Sequence, residues 1–141
     1  MAAPSKQIVT IHTVVNAPVA KTWETYSNPD HITKWNQASP EWHTPWSKND
    51  LRVGGAFSCR MEAKDGSMGF EFSGIYDAVE PGKYMEYHLE DGRRVTVGFE
   101  SIGETTKIIQ TFEPESSNPV DMQQMGWQAI LDSFKNYTEG I

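Results

Sequence analysis

The sequence predicts an α+β fold in which a curved antiparallel sheet wraps a long C-terminal helix, with two short helices after the first strand. Three observations predict it. A β-branched run near the N-terminus is followed by two proline-initiated helical starts, strand-like runs separated by glycine-bearing turns come next, and the chain closes on a segment with apolar residues at helical spacing.

The first strand is the run Ile8 to Val15, in which Val9, Ile11 and Val15 share one face. Asn16-Ala17-Pro18 stops it and supplies a favoured first helical proline, and Val19, Trp23 and Tyr26 follow at helical spacing. Asn28-Pro29 repeats the device, with the Asn28 oxygen placed to cap free backbone N–H groups ahead of Ile32 and Trp35. The stretch Trp35 to Trp46 then reads as a loop carrying Trp35, Trp42, His43 and Trp46. Each tryptophan must hide roughly 150–250 Å² from water, so such a loop is a cavity wall or a core plug.

From Asp50 the pattern turns to strands. Gly54-Gly55 permits a bulge or a close backbone approach. Asp65-Gly66 separates Ala56 to Ala63 from Gly69 to Val79 as a hairpin turn would. Pro81-Gly82 and Asp91-Gly92 bracket Tyr84 to Leu89, and Arg94 to Ser101 is followed through Gly103-Glu104 by Thr106 to Phe112. Asn118-Pro119 opens the final helix by capping, with Asp121 in the first turn where a carboxylate suits the helix dipole. Its apolar face is expected to hold Met122, Met125, Gly126, Ala129, Ile130, Phe134 and Tyr137, flanked by Trp127 and Leu131. Sheet and helix are expected to diverge at one end, leaving a pocket covered by the short helices and the tryptophan loop.

The 141 residues show no composition break and read as one domain, 6–141. A chain of this length buries roughly 68–70% of its unfolded surface without a disulfide or metal staple. The formal charge of -7 excludes a nucleic-acid or anionic-membrane binder of the usual kind, because phosphate neutralisation needs clustered cations and only Arg93-Arg94 approach a cluster. Met1 to Lys6 lacks a signal peptide's basic start and apolar core, and no apolar run is long enough to span a bilayer, so a cytoplasmic protein is expected. The single cysteine, Cys59, reads as a small buried hydrophobe. His12, His31, His43 and His88 have no metal-motif spacing, and neither metal nor cofactor is expected.

Combined, several motifs resemble one family. They are Trp23, Pro29-Asp30-His31-Ile32 through Lys34-Trp35-Asn36, Asp50-Leu51-Arg52 with Gly54-Gly55, and Met61 through Lys64-Asp65-Gly66-Ser67. Gly69-Phe70-Glu71-Phe72 with Gly74, Thr111-Phe112-Glu113-Pro114-Glu115, Gln124 and Gly126-Trp127-Gln128-Ala129-Ile130-Leu131 complete the set. The chain resembles, from about Ile8 to Tyr137, the homologues of the activator of the 90-kDa heat-shock protein ATPase. That resemblance implies the helix-grip fold of the START-like superfamily, whose members include ligand binders, carriers and some cyclases. The longer activators carry a further chaperone-binding domain that this chain does not match, which favours the single-domain branch.

Function is therefore expected to reside in a pocket. Strand alternation puts Phe57, Cys59 and Met61, then Phe70, Phe72 and Tyr76, then Met85, Tyr87 and Leu89, and Val95, Val97 and Phe99 on inward positions. The candidate ligand-binding residues are Trp35, Trp42, His43, Trp46, Met61, Phe70, Phe72, Tyr76, Tyr87, Phe99, Met122, Gln123 and Met125. Gln123 sits in the apolar arc, where its amide needs a partner in a ligand head, a loop carbonyl or water, and Gln110 poses the same question beside Ile108 and Phe112. Asp50 with Arg52 could pair to anchor a loop, and Glu113 with Glu115 could form an acid pair. The first reading is a noncatalytic module for a small apolar or amphipathic molecule. A co-chaperone or stress-related protein-interaction domain, with a chaperone as partner, and a small-molecule hydrolase or cyclase using the same pocket are the alternatives. A void above about 300 Å³ would separate a binding pocket from a filled core.

Overall fold

Strand propensity and turn chemistry agree over most of the chain, and the computed structural model follows them. It describes residues 7–141; Met1 to Lys6, including the segment expected to lack a signal peptide and the expected domain start at Lys6, lies outside the described residues. The order is β1 (Val9–Val15), α1 (Val19–Ser27), α2 (Pro29–Trp35), β2 (Trp42–Asn49), β3 (Ala56–Ala63), β4 (Gly69–Glu80), β5 (Tyr84–Leu89), β6 (Arg94–Ile102), β7 (Thr105–Phe112) and α3 (Val120–Gly140).

The strands form one seven-stranded antiparallel sheet in the order β1-β7-β6-β5-β4-β3-β2. Register shifts between His43 and Trp46 in β2 and between Tyr76 and Ala78 in β4 add the local bend and twist that curl such a sheet. The hairpin at Asp65-Gly66 forms because Gly66, at φ 79°, enters a backbone region that side chains disfavour. Gly55 has a different reason to be glycine, since a Cβ there would lie 2.1 Å from the Asp50 carbonyl oxygen.

Two expectations change. Trp42–Asn49 is an edge strand rather than a loop. Pro45 obscures it in the sequence, yet an edge strand beside a bulge tolerates a missing N–H. The capping at α3 also differs: Asn28 does cap α2 by accepting from the Asp30 N–H at 2.9 Å, whereas Pro119 precedes α3 and no side chain caps it. Asn118 is engaged elsewhere, its amide donating to Glu115 Oε1 at 2.9 Å.

The concave face of the sheet carries the core. Val15, Val95, Val97, Ile108 and Phe112 point inward at 1% exposure or less, and the C-terminal half of α3 covers them with Leu131, Phe134 and Thr138. Trp35 and Tyr26 close this end around Phe134, at ring-centroid distances of 5.0 and 5.1 Å, while Trp23 packs edge-on against Phe99 at 5.0 Å. Each such aromatic pair adds about 0.5–1.5 kcal/mol beyond its buried area. The Trp35 indole N–H donates to the Thr25 carbonyl at 2.9 Å, which satisfies the ring's own polar atom.

Polar clasps hold the same end. Gln128 donates to the His12 carbonyl at 3.2 Å, Glu139 accepts from the Asn16 N–H at 2.7 Å, and His31 and Tyr137 share a hydrogen bond of 2.8 Å. Toward its N-terminus α3 parts from the sheet, held there by Trp127 stacked on Phe112 at 4.0 Å and 10°. The gap opens over β3, β4 and β5.

Candidate functional site

Strand alternation decides what faces this gap. From β3 come Phe57, Cys59 and Met61, from β4 Phe70, Phe72 and Tyr76, from β5 Met85 and Tyr87, and from β7 Gln110. On the opposite side stand Gln123, Trp127, Ile130 and Leu131 of α3, and the closed end is Tyr26, Ile32 and Trp35. Between them lies a cavity of about 340 Å³. Its walls are mostly apolar and its few polar groups convergent, the composition of a small-molecule pocket. Arg93, Glu115 and Asn118 ring the opening. A second, more open depression of about 610 Å³, built on Asp91, Glu113 and Pro119, shares Arg93, Glu115 and Asn118 with that rim.

The candidate residues fall into two groups. Trp35, Met61, Phe70, Phe72, Tyr76, Tyr87 and Gln123 line the cavity. Trp42, His43, Trp46, Phe99, Met122 and Met125 do not. Trp42 lies 6.1 Å from Phe70, His43 faces Glu62 at 3.4 Å, and Trp46 stands at the surface with the Lys48 ammonium 5.6 Å from its ring centroid. Phe99 belongs to the packed end. Met122 and Met125 are 60% and 72% exposed, because the inward stripe of α3 runs through Gln123, Trp127, Ile130, Leu131 and Phe134. That stripe is turned by about one residue, roughly 100°, from the arc that apolarity alone suggests. Trp127 accordingly faces the sheet and the cavity rather than packing under the short helices.

Gln123 explains the turn. Its side-chain oxygen accepts from the Glu115 N–H at 2.9 Å, and its amide donates to the carbonyls of Glu115 and Asn118, both at 2.9 Å. These three bonds meet the amide's needs within the protein and pin the loop before α3 at the cavity mouth. Asp50 and Arg52 do pair, at 2.9 Å, on the exposed Gly54-Gly55 turn. Glu115 accepts from the N–H groups of Ser117 and Asn118 at 2.9 Å each, and hydrogen bonds from Asn118 and Ser117 hold its carboxyl below the usual range. That is opposite to the raised value a general acid needs. Glu113 serves the backbone, accepting from the Arg94 N–H at 2.8 Å.

Sequence reasoning overlooked Tyr26, Ile32, Ser47 and Asn49 as lining residues. Ser47 and Asn49 alternate along β2, so the period-two signal was available once Trp42–Asn49 is read as a strand. Asn49 bridges two elements, donating to the Ser27 carbonyl at 2.7 Å and accepting from the Tyr76 hydroxyl at 2.7 Å. Burial dominates the electrostatics of the lining. It raises the hydroxyl pKa values of Tyr26, Tyr76 and Tyr87, and pushes the Cys59 thiol up to about 11 against the opposing hydrogen bond from Asn36. A thiol so placed is protonated at neutral pH and is no nucleophile. Among the described residues no group of three or more His, Cys, Asp or Glu side chains could hold a metal ion, and no helix is long and apolar enough to cross a membrane.

The comparisons align with this geometry. The model of the family described as Activator of Hsp90 ATPase homolog 1-like protein matches residues 16–139. The solution structure of an AHSA1-like protein from Aeromonas hydrophila is 41% identical, with a TM-score of 0.89 over 95% of this chain and 93% of that one. A protein from Cytophaga hutchinsonii, also solved in solution, is 51% identical, with a TM-score of 0.81 over 94% of this chain and 92% of that one. A crystal structure from Chromobacterium violaceum, 20% identical with a TM-score of 0.84 over 94% and 98% of the two chains, shares the fold. No curated protein matches the chain.

Proposed function

Because the chain belongs to the family of Activator of Hsp90 ATPase homolog 1-like proteins, we propose that it acts as a noncatalytic binding module for a small apolar or amphipathic molecule held between the sheet and α3. The observation that carries this reading is the cavity of about 340 Å³, with its apolar walls and its rim of polar side chains. Trp35, Met61, Phe70, Phe72, Tyr76, Tyr87 and Gln123 are the contacts it assigns. A ligand that hides about 200 Å² of apolar surface gains about 5 kcal/mol from that burial before ordering costs. Since 5 kcal/mol corresponds to about 0.2 mM before those costs, the expected affinity lies near millimolar.

Titration of isotope-labelled protein with a library of uncharged bicyclic compounds tests the proposal. The Trp127 indole and the Met61 and Met85 methyl resonances should move together, while Met125, 72% exposed on the far side of α3, stays in place. Saturating additions that leave Trp127 and Met61 unmoved would sink it.

The family match supports a second reading, a domain that engages a chaperone. Stimulation of the 90-kDa chaperone's ATPase by this chain is the discriminating assay, and no association at micromolar concentrations removes that reading.

A further inference from the structure

The polar groups of the cavity are not treated alike by the protein around them. The Tyr76 hydroxyl donates to Asn49 at 2.7 Å, Cys59 receives the Asn36 amide at 3.3 Å, and Gln123 makes three bonds to the loop before α3. Gln110, Tyr87 and Tyr26 also line the cavity, and among the described residues their side-chain polar atoms have no hydrogen-bond partner. Gln110 and Tyr87 are each only 6% exposed. No fully enclosed side-chain nitrogen or oxygen among the described residues lacks a partner, so these amide and hydroxyl atoms open on the cavity itself.

The register explains how they share one floor. Gln110 pairs across to Val97, Val97 pairs to Met85, and Tyr87 lies two residues along β5 on the same concave face. Two strand spacings separate Gln110 from β5, about 9.5 Å, within reach of an amide on one side and a phenol on the other. Tyr26 comes to the same cavity from α1.

We propose that Tyr26, Tyr87 and Gln110 form a recognition site for the uncharged oxygen-bearing head of a ligand whose apolar body extends toward Phe70 and the rim. The inference rests on the binding reading above and names its ligand class. The phenols and the amide can donate to a ketone, ester or hydroxyl oxygen, and the Gln110 carbonyl can accept from a hydroxyl. A charged head does not suit the floor, because Arg93 and Glu115 stand at the rim and a buried charge without a counter-charge is strongly disfavoured. Burial keeps the two phenols neutral, consistent with a neutral partner. The space sets the size. An apolar cavity of about 150 Å³ holds benzene, so about 340 Å³ suits a bicyclic or tricyclic skeleton.

The test compares 2-naphthol, naphthalene and 2-naphthoate, titrated into the wild type, Gln110→Leu and the double variant Tyr26→Phe/Tyr87→Phe, with Trp127 and Met85 resonances as the readout. The wild type should bind 2-naphthol about tenfold tighter than naphthalene, a preference that falls to about twofold in the double variant while naphthalene affinity holds. Gln110→Leu should melt at or above the wild-type temperature, as expected of an amide that makes no bond within the protein. Equal binding of 2-naphthol and naphthalene by the wild type overturns the floor site and leaves the binding module standing. So does a preference unchanged in the double variant, or 2-naphthoate binding as tightly as 2-naphthol. A Gln110→Leu variant that melts well below wild type overturns the amide's part. If none of the three compounds binds at millimolar concentration, both the floor site and the binding module fall.

Discussion

Raising the pH past about 10 should unfold this protein steeply, and the cavity's tyrosines set the slope. Tyr26, Tyr76 and Tyr87 all have hydroxyl pKa values raised above the ordinary 10.0, with burial as the leading cause in each. A group whose folded-state value is raised gives its full stabilisation below the unfolded value and loses it as pH climbs toward the folded one. Each phenol therefore removes about 1.4 kcal/mol per pH unit above about pH 10, and the three together about 4 kcal/mol per unit. Cys59, raised from 9.0 to about 11, begins its smaller loss one unit earlier. Against a total stability of about 5–15 kcal/mol, about one to four pH units suffice. Urea midpoints followed by tryptophan fluorescence between about pH 8 and 11 measure the slope, and near-ultraviolet absorbance reports tyrosinate. Tyr87→Phe should cut the slope by about one quarter while keeping the ring contact with Phe57 at 4.7 Å. A loss under about 1 kcal/mol between pH 10 and 11 would refute the reasoning. So would ionisation of Tyr26, Tyr76 or Tyr87 near pH 10 with native fluorescence intact.

Other outcomes follow from the same structure. Cys59 should react with iodoacetamide at least about 100-fold more slowly than an exposed thiol near pH 8, since two pKa units thin its thiolate by that factor; alkylation followed by mass spectrometry reads it. Phe134→Ala, at a fully buried position between Tyr26 and Trp35, should cost about 3–5 kcal/mol in urea unfolding. Gln123→Ala should cost about 1–3 kcal/mol and speed amide exchange at Glu115 first, because that N–H loses its acceptor. Trp46→Ala should change ligand affinity less than twofold in the same titrations, whereas Phe72→Ala weakens it at least about tenfold, as wall and edge positions require.

Most of the fold was legible because local and tertiary preferences coincide. The β-branched run at Val9–Val15 buries the face its pattern marks, and Asn28-Pro29 starts a helix by the capping expected of it. Asp65-Gly66 and Asp91-Gly92 turn where they should, with Gly66 and Gly92 at positive φ. The site was harder to read where polarity and burial disagree. Met122 and Met125 drew the helix face toward themselves by hydropathy, while Gln123 faces inward because a loop backbone, invisible to periodicity, satisfies its amide. The edge strand at Trp42–Asn49 was masked by Pro45 and a bulge, and its inward Ser47 and Asn49 with it. Gln110 stood out in sequence as a polar residue between Ile108 and Phe112, but only the fold could tell whether a neighbour answers it.

The pairing of the first strand with the seventh has a consequence for synthesis. Val9 lies against Phe112 and Val15 against Thr106, so β1 has no sheet neighbour until roughly a hundred further residues have been made. At about 5–20 residues per second this is a wait of about 5–20 s, during which Ile11 and Val15 have no lasting cover. Local hairpins from β2 to β7 can assemble in the meantime, each joined by a short turn. The nascent chain should thus gather from its middle outward, its N-terminal strand docking late and α3 sealing the concave face last.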